Sequence, residues 1–162
     1  MRTPARGRRT ALGGVIAVLT LALCACGITI PTDPRGTSAR IAESGELHAG
    51  ASPAAPAVAV DGERVSGPLA ELVETFAERH GAEVEWTVGS EEQLVEGLED
   101  GSLDLVIGGM TDRTPWIDRA SATRGYTAIP GTDGRTTVVL LPLGENALQA
   151  ELERFLDAEV GR

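Results

Sequence analysis

The chain contains no lysine: all 14 of its basic residues are arginine. A Walker-type phosphate loop and Schiff-base chemistry both need an ε-amine, so both are excluded. Cysteine is confined to Cys24 and Cys26, and histidine to His48 and His80. The two histidines stand far apart in sequence, and no metal site is expected of them. No Gly-x-Ser-x-Gly elbow occurs and no motif places a Ser-His-Asp set, so hydrolase chemistry has no support. The chain is not expected to be an enzyme, and no cofactor is expected. An apolar run of the roughly 20 residues needed to span a bilayer is also missing. Acids outnumber bases by 24 to 14, for a formal net charge of -10. Residues 1–25 hold four arginines (Arg2, Arg6, Arg8, Arg9) and no acid, so removing those four positive charges takes the remainder from -10 to -14. A surface that acidic repels phosphate backbones, which argues against nucleic acid as a partner.

What is present begins with targeting. Residues 1–9 are basic, and residues 11–25 are small, apolar and uncharged. At about 15 residues this stretch is shorter than a membrane span, which favours a signal peptide over a permanent anchor. It ends Leu23-Cys24-Ala25-Cys26-Gly27, which resembles a lipobox: leucine at -3, a small residue at -1, then the thiol that is acylated. Cys24 fits less well, because Leu23 then occupies its -1 position. The expectation is a lipoprotein signal peptide over 1–25, lipid attachment at Cys26, and a tether over 26–38 broken by Pro31, Pro34 and Gly36. Two acyl chains, at about 0.8 kcal/mol per buried methylene, hold a protein where one exchanges. The protein is then expected on the outer face of the cell membrane, with neither cysteine left for a disulfide or a thiolate site. Ordinary secretory cleavage beside a stray Cys26 stays open, as does twin-arginine export through Arg8-Arg9.

From Glu46 onward the pattern alternates. Residues 38–44 suit a short helix closed by Gly45. Leu47, Ala49 and Ala51 lie on one face of a strand. Residues 57–60, an Asp61-Gly62 turn and Arg64-Val65 suggest a hairpin. Pro68 suits a first helical position, followed by Leu69, Leu72, Val73, Phe76 and Ala77 at helical spacing, with Gly81 as the stop. Val84, Trp86 and Val88 alternate with Glu83, Glu85 and Thr87, as in a strand with one wet face. Ser90-Glu91-Glu92-Gln93 is a capping box opening a helix with Leu94, Val95 and Leu98 inward. Residues 103–107 read as a buried strand ending in Gly108-Gly109. Strand, helix, strand, helix, strand implies an α/β fold with a parallel sheet and right-handed crossovers. A further strand is expected at 136–141, then a helix capped by Asn146 with an apolar stripe of Leu148, Leu152, Phe155 and Leu156. Such a sheet binds ligands outside the carboxyl ends of its strands, here residues 52–56, 89–90 and 108–113.

The stretches 41–51 (IAESGELHAGA), 67–86 (GPLAELVETFAERHGAEVEW), 98–111 (LEDGSLDLVIGGMT) and 138–156 (VVLLPLGENALQAELERFL) resemble the extracellular solute-binding proteins of family 3, the polar amino acid type. The resemblance implies a single lobe, over 39–162, of a type II periplasmic-binding-protein fold: a mostly parallel sheet flanked by helices. Family members have two lobes, the second inserted between two crossing strands. Here those strands are expected at 126–129 and 136–141. Only 130–135 joins them, whereas a lobe needs roughly 100 residues. Counting back from Tyr126 puts Trp116 where the family's carboxylate-binding arginine stands, and an indole offers no bidentate fork. The stacking aromatic expected after the first strand is replaced by Ala55-Pro56-Ala57.

The resemblance gives Gly109 and Thr111 as positions offering backbone and hydroxyl hydrogen bonds to a ligand. The plainer alternative is a turn after a strand and a solvated threonine. Thr114-Pro115 reads as a cap and first helical residue that aims Arg113 at the binding edge, as an anion ligand or as a surface charge. Arg119 is a second candidate for that task. Trp116 is either a ligand platform or a cover over apolar surface bared by the missing lobe. Glu71, Glu74 and Glu78 suit a wet helix face, and His80 the carboxyl end of a helix dipole. The expected function is the substrate-binding component of an ABC importer for amino acids or similar small polar solutes. Its partners would be a weakly held solute, a permease and, through the lipid anchor, the membrane. The second expectation is a non-transport envelope lipoprotein that uses the lobe as an interaction or sensor module.

Overall fold

The computed structural model describes residues 35–161. The expected signal segment, Cys26 and most of the tether lie outside the described residues. Among those described, no helix is long and apolar enough to cross a membrane. The first element is helix α1 (Thr37–Ser44), which ends on Gly45 at φ 73°, a left-handed position that glycine adopts without a Cβ clash. Strand β1 (Glu46–Ala51) follows, and Leu47, Ala49 and Ala51 are each fully buried, as their alternation requires. Strands β2 (Ala59–Asp61) and β3 (Arg64–Ser66) form the small hairpin. Asp61 pairs with Arg64, so the turn is Gly62-Glu63, one residue beyond the expected Asp61-Gly62. Gly62, at φ 63°, supplies the positive φ as the first central residue.

Helix α2 (Pro68–Arg79) has its proline in the first turn, buries Leu69, Ala70, Val73, Phe76 and Ala77, and stops at Gly81. Strand β4 (Glu83–Val88) leads to helix α3 (Glu91–Asp100), where Ser90 and Gln93 form the capping box and Gly101 the left-handed end. Strand β5 (Leu105–Ile107) is buried along its whole length. Strands β6 (Ser121–Ala122) and β7 (Leu140–Leu141) precede the last helix, α4 (Asn146–Glu159).

The five-stranded sheet has the order β4-β1-β5-β7-β6. β4, β1 and β5 run parallel, joined by the two helical crossovers, while β7 runs antiparallel between its neighbours β5 and β6. One face carries Leu47, Ala49, Ala51, Leu105 and Ile107 against α2 and α4. Phe76 of α2 meets Phe155 of α4 there, ring centres 5.5 Å apart and tilted, a contact whose truncation to alanine costs about 3–5 kcal/mol. The other face packs Val106 under Leu94, Val95 and Leu98 of α3. A Cβ on Gly50 would stand 2.9 Å from Leu94, so the helix lies directly on β1 because that position has no side chain. β4 is the edge strand: Val84 and Trp86 are only half-buried, and Val88 is exposed.

Two further expectations differ from the structure. In place of strands at 126–129 and 136–141, pairing is reduced to β7 and an isolated antiparallel bridge between Tyr126 and Thr137, with β6 formed earlier in the chain. The helix α4 is preceded by Glu145 as its N-cap, and Asn146 is already helical. The chain turns early there, because Gly144 takes φ 91° and its carbonyl accepts the Asn146 N–H at 2.8 Å. Glu145, almost fully buried, accepts the Arg35 backbone N–H at 3.2 Å. The Arg35 guanidinium donates to the carbonyls of Leu98 and Glu99 at the carboxyl end of α3, at 3.3 and 3.5 Å.

Candidate functional site

The edge formed by the carboxyl ends of β1 and β5 is built from two adjoining loops. Ser52 N–H donates to the Ile107 carbonyl at 2.9 Å, carrying the pairing of β1 with β5 one step past the strand. Gly108 sits against Ser52 so closely that a Cβ would meet its side chain at 2.9 Å. Gly109 is exposed, and a Cβ there would meet only Ala54 at 3.6 Å. Gly108 is therefore the packing glycine, while Gly109 holds its backbone open at the surface.

Thr111 is half-buried and bridges Thr137. Its Oγ1 accepts the Arg113 N–H at 3.3 Å, and its carbonyl accepts the Thr114 N–H at 2.9 Å. The hydroxyl is thus engaged as an acceptor, and among the described residues its own O–H remains to donate. Thr114 is buried, and its Oγ1 has no hydrogen-bond partner among the described residues. No helix starts at Pro115: residues 115–119 form a turn, closed by Arg119 and Ala120 N–H groups on the Trp116 carbonyl at 2.9 and 2.8 Å.

Arg113 is exposed, and among the described residues its guanidinium enters no ion pair. Arg119 is committed elsewhere. Its Nε donates to Glu99 at 3.0 Å and its Nη2 to the other oxygen of the same carboxylate. This fork holds the Glu99 carboxyl below its ordinary value and raises the guanidinium. Trp116 is turned the same way: its indole N–H donates to Glu91 at the start of α3, at 3.0 Å, and the ring packs against the α3 layer of the core. The structure therefore keeps Gly109, Thr111 and Arg113 in one loop at the edge and ties Trp116 to the flank of α3. Cavities of about 290 Å³ beside Pro68 and Pro130 and about 330 Å³ beside Gly89 and Leu103 include none of these four residues.

Beyond the edge, residues 130–135 are a built turn. Thr132, almost fully buried, donates its hydroxyl to the Ile129 carbonyl at 2.8 Å and accepts the Arg135 N–H at 3.0 Å. Gly131, Asp133 and Gly134 all take positive φ. A Cβ on Gly131 would lie 3.0 Å from the Ala57 nitrogen, so this turn rests on the loop where the family's stacking aromatic is missing.

The structure also groups residues that the sequence reading kept apart. His48 Nε2 lies 3.7 Å from Glu46 and 3.4 Å from Glu85, on the wet face of β1 and β4. The distance between the two histidines in sequence gives no sign of this grouping. Alternation places each residue on that face, but only the register of β1 on β4 sets His48 beside Glu85.

The family model for bacterial extracellular solute-binding proteins, family 3, matches residues 47–158. No curated protein sequence matches the chain. Among solved structures, the arginine-bound form of domain 1 from TmArgBP, the ArgBP of T. maritima, aligns at 21% identity and TM-score 0.63, covering 74% of this chain and 97% of that one. Its Phe57Trp mutant aligns at 22% and 0.65, covering 75% and 96%. An ancestral arginine-binding protein bound to arginine aligns at 12% and 0.58, covering 70% and 92%. At these identities the likeness speaks for the fold, that of one periplasmic-binding-protein domain. With the family model spanning most of the lobe, the chain belongs to the bacterial extracellular solute-binding proteins, family 3.

Proposed function

We propose that the lobe holds a small polar solute, an amino acid or a similar molecule, at the loops after β1 and β5. Arg113 serves as the anion ligand, with Gly109 and Thr111 as hydrogen-bonding neighbours. It does so as the substrate-binding component of an ABC importer, held on the outer face of the cell membrane through lipid on Cys26. The observation that carries this reading is the guanidinium of Arg113, in no ion pair among the described residues, beside an exposed glycine backbone on a family 3 lobe. Domain 1 of TmArgBP, a single lobe of the same fold, was solved with arginine bound, which supports retention of a solute by one lobe. One lobe covers one side of its ligand and leaves the other hydrated, so affinity is weaker than in a two-lobed clamp.

The test is a thermal-shift screen with arginine and the other amino acids on the wild type and Arg113→Ala. Ligand at 100 times Kd stabilises the fold by about 2.7 kcal/mol. A shift with one solute that disappears in Arg113→Ala is the expected result. No shift with any of them at millimolar concentration overturns the binding claim. For the anchor, radioactive fatty acid should label the wild type and spare Cys26→Ala.

A second reading is favoured by the built turn at 130–135 and by Trp116 bound to Glu91. These features suit a lobe kept as an interaction or sensor module of the envelope without transport. Crosslinking in membranes separates the two: a permease as main partner supports import, and an unrelated envelope protein supports the module.

A further inference from the structure

We propose that Glu46, His48 and Glu85 form a binding site for a late first-row divalent cation of the Zn²⁺ class. The three residues offer one imidazole nitrogen and two carboxylate oxygens, all within 4.8 Å of one another. His48 Nε2 stands 3.7 Å from Glu46 Oε2 and 3.4 Å from Glu85 Oε2. Both separations exceed the roughly 2.7–3.2 Å of a direct N–H···O hydrogen bond. They lie near the edge of a tetrahedron with bonds of about 2.0–2.1 Å, which is roughly 3.3 Å. The donors are thus spaced for an ion between them.

The scaffold is stiff. Glu46 and His48 alternate on β1, and Glu85 is the register partner of His48 on β4. The backbone of His48 is pinned from the other side: its N–H donates to Asp104 Oδ2 at 2.9 Å, and its carbonyl accepts the Asp104 N–H at 2.8 Å. Glu83 stands in register with Glu46, so the same face gains a third carboxylate. Arg40 pairs with Asp104, the same carboxylate that holds the His48 backbone. A dense negative face attracts a divalent ion, and the imidazole selects Zn²⁺, Ni²⁺, Cu²⁺ or Co²⁺ over Mg²⁺ and Ca²⁺, which take oxygen ligands. Three protein ligands leave the remaining positions to water. An ion here also staples the edge strand β4 to β1. Because Glu46 and His48 belong to the amino-terminal half of β1, the site is separate from the solute edge and independent of its function.

The experiment is calorimetric titration of the metal-stripped full chain with Zn²⁺ and with Mg²⁺, repeated on His48→Ala, Glu85→Gln and His80→Ala. Wild type should bind one Zn²⁺ and give no response to Mg²⁺. His48→Ala should weaken Zn²⁺ by about tenfold or more, Glu85→Gln should weaken it too, and His80→Ala should match the wild type. Glu85 is exposed, so its variant reads out binding even where His48→Ala folds poorly. Stoichiometric Zn²⁺ binding that survives Glu85→Gln and His48→Ala unchanged overturns the assignment. So does the lack of saturable Zn²⁺ binding by the wild type, or equal loss in His80→Ala.

Discussion

Tyr126 and Thr137 exchange both of their backbone hydrogen bonds, each 2.9 Å long, and residues 127–136 close the loop between them. In a two-lobed relative the resemblance places a whole inserted domain at this point. Here the bridge lets a compact turn take its place, seated on Ala57 and stapled by Thr132. The chain pays for that compactness in backbone conformation at Gly131, Asp133 and Gly134.

Replacing Gly131 or Gly134 by alanine is expected to cost about 1–2 kcal/mol each for the left-handed backbone. Gly131→Ala should lose more than Gly134→Ala, because its Cβ meets the Ala57 backbone while that of Gly134 meets nothing within 4 Å. Urea denaturation of the two variants decides it; equal losses would mean that the turn does not rest on the loop.

Trp116→Phe removes the N–H that reaches Glu91 and should cost about 1 kcal/mol of stability while leaving any solute response intact. The comparison is made by thermal shift with and without solute. A folded Trp116→Phe protein that no longer responds to solute would make the indole part of the ligand platform.

Glu153 carries an acid-dependent share of stability. Burial alone pushes its carboxyl up, but the Arg124 N–H at 2.8 Å, the Arg124 guanidinium and Gln149 outweigh burial and hold it below the ordinary 4.5. The unfolded chain therefore takes up this proton first as pH falls. The contribution is present above about pH 4.5 and is lost as pH drops through the lower folded value. Glu153→Gln should unfold in urea with a flatter dependence on pH in that acid range, and an unchanged slope would refute the link.

Tyr126 gives the opposite sign. Burial first, and then the Asp157 carboxylate, raise its phenol above the ordinary 10.0; the hydroxyl lies 3.1 Å from the Glu153 carbonyl and 3.2 Å from Asp157. Its contribution is present below pH 10 and is lost as pH rises above it. Because Tyr126 is the chain's single tyrosine, phenolate absorbance reports it alone. Absorbance should stay low until alkaline unfolding, whereas reversible titration of the native protein near the ordinary value would contradict the burial argument.

The elements legible in the sequence are those whose signals are local. The Ser90–Gln93 capping box, Pro68 in the first turn of α2, Gly45 and Gly101 at helix ends, and the alternation of Leu47, Ala49 and Ala51 each need only a few neighbouring residues. What stayed hidden depends on pairing across the chain. A strand was legible at 136–141, but its shortening to Leu140–Leu141 between Val106 and Ser121–Ala122 was not, and nothing around Ser121 announces the pairing. Arg113, Thr111 and Gly109 were readable as one loop. That Arg119 is occupied by Glu99, and Trp116 by Glu91, follows only from the placement of α3. The same holds for His48 beside Glu85.

Arg35, clasped by Glu145 and by the end of α3, brings the polypeptide into the lobe on the amino side of the parallel strands. The loops with Gly109 and Arg113 look the opposite way. Whatever docks on those loops therefore meets a surface that Arg35 and its clasp leave uncovered.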